Sequence, residues 1–440
     1  MRDSKAFKGR VRRICAALMI ALVSCLFSAC SNIDFGIEGL MLPPKLTSEQ
    51  RMLYSALETA AGTESLRLRY PKFADGNSAF IFNDMDGDGM QEAIVFYSAQ
   101  DDHATRINIL RKTADSWVSV YDTSGREEIV VSVEFASVES GTDIIIGWQN
   151  SFSGQKTLTV SRFSGNTLFE TFSAPYEEAA VCRLFGSDSD DVLIFSPVDS
   201  SGSTQVSLLE LKGEEPAVSS QTSLRSGAAE YLSIKNDVIF SRTPAVFVDY
   251  VAIDGIVSTD VIYLESLGGG RLKSYFSGRS DAPVRYEKLI SDDINGDGLL
   301  EIPSQYIMPG TEGDAENVTY ITEYFRINGQ GLTSVMSAVI NINDGYVFEL
   351  PQEWIGNVTL KKTKDNNEWN FFEISESGRN DTELLRIKTV NRNTYHDKFD
   401  ENYQLVAEKG VNQYYIFVTS SDSGFRRTLS DCRSRFSLLE

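Results

Sequence analysis

At 440 residues the chain is too long for one ordinary hydrophobic core, so more than one packing unit is expected. Its formal charge of −21 argues against nucleic acid and anionic membrane surfaces as partners and suits a protein that collects divalent cations. An apolar content of 42% with 11% aromatics excludes bulk disorder.

The N-terminus reads as an export signal. Arg2, Lys5, Lys8, Arg10, Arg12 and Arg13 precede a charge-free apolar run from Ile14 to Phe27, which ends in Leu26-Phe27-Ser28-Ala29-Cys30. The run is shorter than the ~20 apolar residues of a membrane-spanning helix. A cysteine after Ser-Ala resembles the bacterial lipoprotein box, in which that cysteine is acylated and becomes the first residue of the mature chain. The resemblance implies a signal peptide over 1–29 and lipidation at Cys30. Cys25, after Leu22-Val23-Ser24, and an uncleaved anchor helix are the alternatives. The protein is then expected on the extracytoplasmic face of a cell membrane, held there by its lipid. Residues 30–46, with Pro43-Pro44, form the tether. Cys182 and Cys432 would either pair or stay as buried free thiols, the second being favoured.

A helix is expected from about 48 to 61, because Thr47 and Gln50 stand as in a capping box and Met52, Leu53, Leu57 and Ala60 follow at helical spacing. Beyond about Leu66 the pattern turns to short strands. Ser78–Phe82, Glu92–Tyr97, Ile107–Leu110 and Trp117–Tyr121 make one set of four. Ile129–Phe135, Ile144–Trp148, Leu158–Phe163 and Thr167–Phe172 make a second. Val181–Phe185, Val192–Phe195 and Val206–Leu209 begin a third, and Ala245–Val251 with Val261–Leu264 belong to a fourth. Tyr286–Ile290, Ile302–Tyr306, Tyr320–Ile327 and Leu332–Val339 suggest a fifth. Four strands recurring every ~45–55 residues suit a β-propeller blade, so residues 47–343 are expected to form a helix followed by a β-propeller-like domain of about five blades. Residues 344–440 leave that period and read as a separate small α+β or antiparallel β domain, making the chain mainly β.

Two segments match each other: Asp84-Met85-Asp86-Gly87-Asp88-Gly89-Met90-Gln91-Glu92 and Asp293-Ile294-Asn295-Gly296-Asp297-Gly298-Leu299-Leu300-Glu301. Oxygen side chains at alternate positions converge when the chain between them curls, and the glycines permit that curl. The backbone carbonyls of Met90 and Leu299 and the acids Glu92 and Glu301 complete a calcium-type ligand set. Val95 and Ser304 stand where a helix–loop–helix calcium site needs a glutamate, so these are loops between strands. About two structural calcium ions are expected. The pattern resembles the FG-GAP repeat of integrin-α-type β-propellers and is similar to bacterial VCBS repeats. The overall layout also resembles uncharacterised lipoproteins of anaerobic Gram-positive bacteria. In the first family such loops brace the blades while partners bind elsewhere. Gly186-Ser187-Asp188-Ser189-Asp190-Asp191 sits at a matching place without the alternation and is assigned no metal.

Catalytic signatures are missing. His103 and His396 are the two histidines and both read as surface residues, which argues against zinc hydrolases and Ser-His-Asp catalysts. Trp117, Trp148, Trp354 and Trp369 could stack on sugars, but each lies in or beside an expected strand, where core packing is the commoner use. The chain is therefore expected to be no enzyme but a binding or scaffold module for an envelope protein or glycan, with no nucleic-acid partner. A carbohydrate-active enzyme on the same scaffold is the runner-up, and an assembly factor docking through residues 344–440 is a third reading.

Overall fold

The structure, a computed structural model, describes residues 47–439 except 64, 73–77, 100–103, 140, 187, 214, 266–269, 313–317, 364–366, 375–381 and 394–401. Cys25, Cys30, the signal peptide, the tether up to residue 46, His103 and His396 lie outside the described residues. Among the described residues no helix is long and apolar enough to cross a membrane.

Helix α1 (Ser48–Ala61) opens the fold as the sequence suggests. The Thr47 hydroxyl accepts the Gln50 amide at 3.1 Å, and the Gln50 side chain accepts the Thr47 amide at 2.9 Å. Gly62 ends the helix in the left-handed region at φ 66°. Leu53 and Leu57, four apart, form the buried stripe.

The rest is mainly β: six antiparallel sheets among the described residues, with no closed barrel. The first sheet holds β1 (Leu66–Arg69), β2 (Phe80–Asn83), β3 (Glu92–Ala99), β4 (Arg106–Lys112) and β5 (Trp117–Ser124), with β1 and β2 sharing one edge of β3. The second is β6 (Ile129–Val138), β7 (Gly141–Gln149), β8 (Lys156–Ser164) and β9 (Thr167–Pro175). The third is β10 (Glu178–Cys182), β11 (Asp191–Phe195), β12 (Gln205–Glu210) and β13 (Ala217–Ser223). The fourth contains β14 (Ala228–Ile239), β15 (Thr243–Ala252), β16 (Val257–Glu265), β17 (Arg271–Ser274) and β18 (Val284–Arg285). Then come β19 (Ile302–Ile307), β20 (Tyr320–Asn328), β21 (Gly331–Asn341) and β22 (Tyr346–Glu349) of the fifth sheet. The sixth holds β23 (Val358–Lys362), β24 (Glu368–Glu373), β25 (Thr382–Asn391), β26 (Gln404–Lys409) and β27 (Asn412–Val418). After helix α2 (Leu429–Ser434) the chain returns to the fifth sheet as β28 (Phe436–Leu438), paired with β22.

Alternation along the central strands stacks these sheets face to face in chain order. Ala93, Val95 and Tyr97 of β3 face α1, whereas Ile94 and Phe96 meet Ile144, Ile146 and Trp148 of β7. Ile145 of β7 turns the other way to Val192 and Ile194 of β11, and Leu193 and Phe195 pack on Val246 and Val248 of β15. Phe247 meets Ile302 and Ile327 of the fifth sheet, which shares a further core with Trp369, Phe371 and Ile387 of the sixth. All four tryptophans are buried.

Two expectations shift. Tyr286–Ile290 is not a strand: the amides of Tyr286 and Glu287 go to the Gln305 side-chain oxygen at 2.9 and 3.1 Å, not to a ladder. The expected boundary near residue 344 falls in the turn of the β21–β22 hairpin, and the strand beyond it stays in the fifth sheet. Cys182 and Cys432 are unpaired buried thiols in different core clusters.

Candidate functional site

The two matching loops each lead into a central strand, Asp84–Glu92 into β3 and Asp293–Glu301 into β19. They fold alike. Gly87 and Gly89 have φ of 75° and 88°, and Gly296 and Gly298 have 75° and 84°, values that a side chain would strain. In the first loop both oxygens of Asp84 accept backbone amides, Gly87 at 2.9 Å and Gly89 at 3.0 Å. In the second, Asp293 accepts Gly296 at 2.8 Å and Gly298 at 2.7 Å. Position five behaves alike too: Asp88 accepts the Met90 amide at 2.8 Å and Asp297 the Leu299 amide at 3.1 Å. The curl brings ligand oxygens of Asp84, Asp86 and Asp88 within 4.8 Å of one another. In the second loop Asn295 supplies an amide oxygen in place of the middle carboxylate, so that loop carries one formal charge less.

The acid at the ninth position of each loop is held by protein donors. Glu92 and Glu301 are fully buried. One Glu92 oxygen accepts the Met85 amide at 3.1 Å and the other accepts Arg111 Nε at 3.0 Å. Glu301 repeats this with the Ile294 amide at 3.1 Å and with Arg326. Burial pushes both carboxyls above their usual range, against the pull of these donors. Each arginine also reaches back into its loop, Arg111 to Asp86 and Arg326 to Asp297 at 2.7 Å. The Arg326 hydrogen bond lowers the Asp297 carboxyl. Both loops therefore hold a guanidinium between a loop carboxylate and a buried glutamate.

These arginines belong to a pattern that runs beyond the loops. An acid opening one strand faces a base on the next: Glu92 and Arg111, Asp143 and Arg162 at 2.7 Å, Glu301 and Arg326, and Glu368 and Lys388 at 3.2 Å. In the third sheet the acid is Asp191, but its ladder partner is Glu210. Asp191 is buried with no hydrogen bond to either carboxylate oxygen, and burial pushes its carboxyl up to about 7.

Each loop also docks on a neighbouring sheet. Thr142 Oγ1 donates to the Asp84 carbonyl at 3.1 Å, and the Leu300 amide donates to Asp237 of β14 at 2.5 Å. A cation that ordered a loop would thus also order a seam between sheets. No protein-family model matches the chain, and no curated protein sequence matches it.

Proposed function

We propose that this protein is a calcium-binding, β-propeller-like module, anchored outside the cell membrane through a lipid on Cys30, that binds a protein or glycan of the cell envelope. The observation that carries the calcium reading is the matching hydrogen-bonded curl of two loops far apart in the chain. Asp84, Asp86 and Asp88 supply the oxygens in one, and Asp293, Asn295 and Asp297 in the other. Hard oxygen donors of this kind suit calcium, which accepts irregular coordination, better than magnesium. The carbonyls of Met90 and Leu299 follow directly in each loop. Bound calcium would neutralise the clustered carboxylates and brace the seams that the loops dock on.

The propeller-like reading draws on the six antiparallel sheets that follow one another in chain order, the second and third being plain four-stranded meanders, with apolar side chains of central strands alternating between two neighbours. A binding role is favoured over catalysis because the buried acids Glu92, Asp143, Glu301 and Glu368 are engaged with bases on the adjacent strand.

The test is a calcium titration of residues 31–440, following melting temperature and bound metal. A higher melting temperature with about two ions per chain is expected from the two loops. An unchanged melting temperature and no bound metal would overturn the calcium reading.

A further inference from the structure

A cavity of about 640 Å³ opens beside the second loop, walled by that loop, the β14–β15 turn and the end of β20. Its size falls within the roughly 300–1,000 Å³ typical of small-molecule sites. The charged residues on its wall are Arg242 of the turn, Arg326 of β20 and Asp297 of the loop. Two arginines thus face one aspartate, in a chain of formal charge −21. Asp237 of β14, close by, is turned to the Leu300 amide.

The turn is strained. Ile239 pairs with Thr243, and the chain between them holds Ser241 and Arg242 at φ of 56° and 58°. Hairpin turns of positive φ are normally filled by asparagine or glycine, because a longer side chain strains the backbone there. Arg242 is exposed and forms no hydrogen bond or ion pair among the described residues, so no contact inside the fold explains an arginine at this place. Beside it Phe240, which also lines the cavity, is fixed edge-on against Tyr263 with ring centroids 5.9 Å apart.

Arg326 is the second cation, and its freedom depends on the loop. Its Nη2 donates both to Asp297 at 2.7 Å and to Glu301. A calcium ion in the loop would take over Asp297 and release Arg326 from it. The wall would then present two guanidinium groups beside a neutralised aspartate. The planar fork of an arginine suits a carboxylate. An aromatic face and a hydroxyl, here those of Phe240 and Ser241, suit the ring and hydroxyls of a sugar.

We propose that this cavity binds a uronic-acid glycan, with Arg242 and Arg326 taking the carboxylate and Phe240 the sugar ring, and that calcium in the second loop strengthens the binding. The proposal rests on the calcium and glycan readings above and names the glycan class, the place and the coupling.

Isothermal titration of residues 31–440 with an α-1,4-linked galacturonate trisaccharide, in calcium and in chelator, tests it. The methyl-esterified trisaccharide is the uncharged comparator, and inorganic phosphate is the competing anion. In calcium the charged sugar should bind at least about tenfold more tightly than its ester, and chelation should weaken it about tenfold. Arg242→Gln should weaken binding about tenfold. Arg242→Gly should weaken it as much while raising the melting temperature, because glycine takes the positive φ without strain. A residue kept there for folding alone would not give that split. Equal binding of the ester, or displacement of the sugar by phosphate at equal concentration, would overturn the inference and leave the glycan reading standing. Binding of neither sugar, or binding unchanged in both Arg242 variants, would also overturn it. Bound ions are counted in the same samples. Sugar binding indifferent to chelator while the loops hold calcium would overturn the inference with the calcium reading intact, and no bound calcium would overturn both.

Discussion

Glu92 and Arg111 face each other across the β3–β4 ladder, and the same guanidinium reaches Asp86 in the loop that Glu92 terminates. Arg326 repeats the arrangement between Glu301 and Asp297. In both loops, then, the arginine neutralises carboxylates that calcium would also neutralise. Arg111→Gln should destabilise the metal-free protein by about 2–4 kcal/mol, because a buried carboxylate loses its partner. It should also raise calcium affinity, since Asp86 no longer shares its charge. Calorimetric melting with and without chelator, together with calcium titration, reads both effects. Lower affinity in the variant would show that the arginine supports the site and does not compete for it.

The loops are separate in sequence and dock on different seams, so they should titrate independently. Asp86→Ala should remove one of about two bound ions, and Asp297→Ala the other. Ion counting on the single variants checks this, and loss of both ions from either one would instead mean that the sites are coupled. The Asp84-Asp86-Asp88 loop should bind more tightly than the Asp293-Asn295-Asp297 loop, because it has one more carboxylate.

Much of this is legible in the sequence. The apolar runs of β3, β7, β11 and β15 are buried on both faces and read as strands at once, as does α1 from its capping box. The strands that the apolar pattern does not mark are those whose burial is shallow. β13, Ala-Val-Ser-Ser-Gln-Thr-Ser, is largely exposed, and β14 mixes Glu230, Lys235, Asn236 and Asp237 into its twelve residues. Pairing, not hydrophobic pattern, makes them strands. The aspartates and glycines of both loops stand out by their alternation. Arg111 and Arg326 do not, because they arrive from another strand. A signal exists nonetheless: Arg111 follows Glu92 by 19 residues, and Arg162 follows Asp143 by the same interval. That is the length of one hairpin arm and back, and it becomes meaningful only once the register is known.

The hairpin at residue 344 has a consequence for truncation. β21 pairs with β22, β22 with β28, and the fifth sheet shares Tyr346, Phe348, Trp354, Trp369 and Phe371 with the sixth in one core. Deleting residues 344–440 would bare that core and an unpaired β21 edge. The shortened protein should be insoluble or unfold at much lower temperature. A soluble, cooperatively melting product of residues 47–343 would show that the first four sheets and β19–β21 suffice.

Export and lipidation make a prediction in the intact cell. If Cys30 carries the lipid, Cys30→Ser should move the protein from the membrane fraction to the soluble one, since the acyl chains supply most of the membrane affinity. Persistence in the membrane fraction would point to Cys25 or to an uncleaved anchor.

Asp191 should make stability fall as pH rises. It takes the place that Glu92, Asp143, Glu301 and Glu368 hold in other sheets, but it faces Glu210 where they face a base. Cys182 is its ladder partner on the other side, and the nearby Lys212 does not offset burial. With its carboxyl raised to about 7 from the ordinary 3.8, the folded protein holds a proton that the unfolded chain has already released between those values. Folding is then favoured at the acid end of that window, and the contribution is lost as pH climbs through about 7. Asp191→Asn keeps the shape and removes the charge. It should flatten the pH dependence between about 4 and 7 and be more stable than the parent at pH 8 by roughly 2 kcal/mol. Urea melts at a series of pH values, at fixed calcium, measure it. A parallel pair of curves for parent and variant would mean that Asp191 is ionised and solvated in the folded protein.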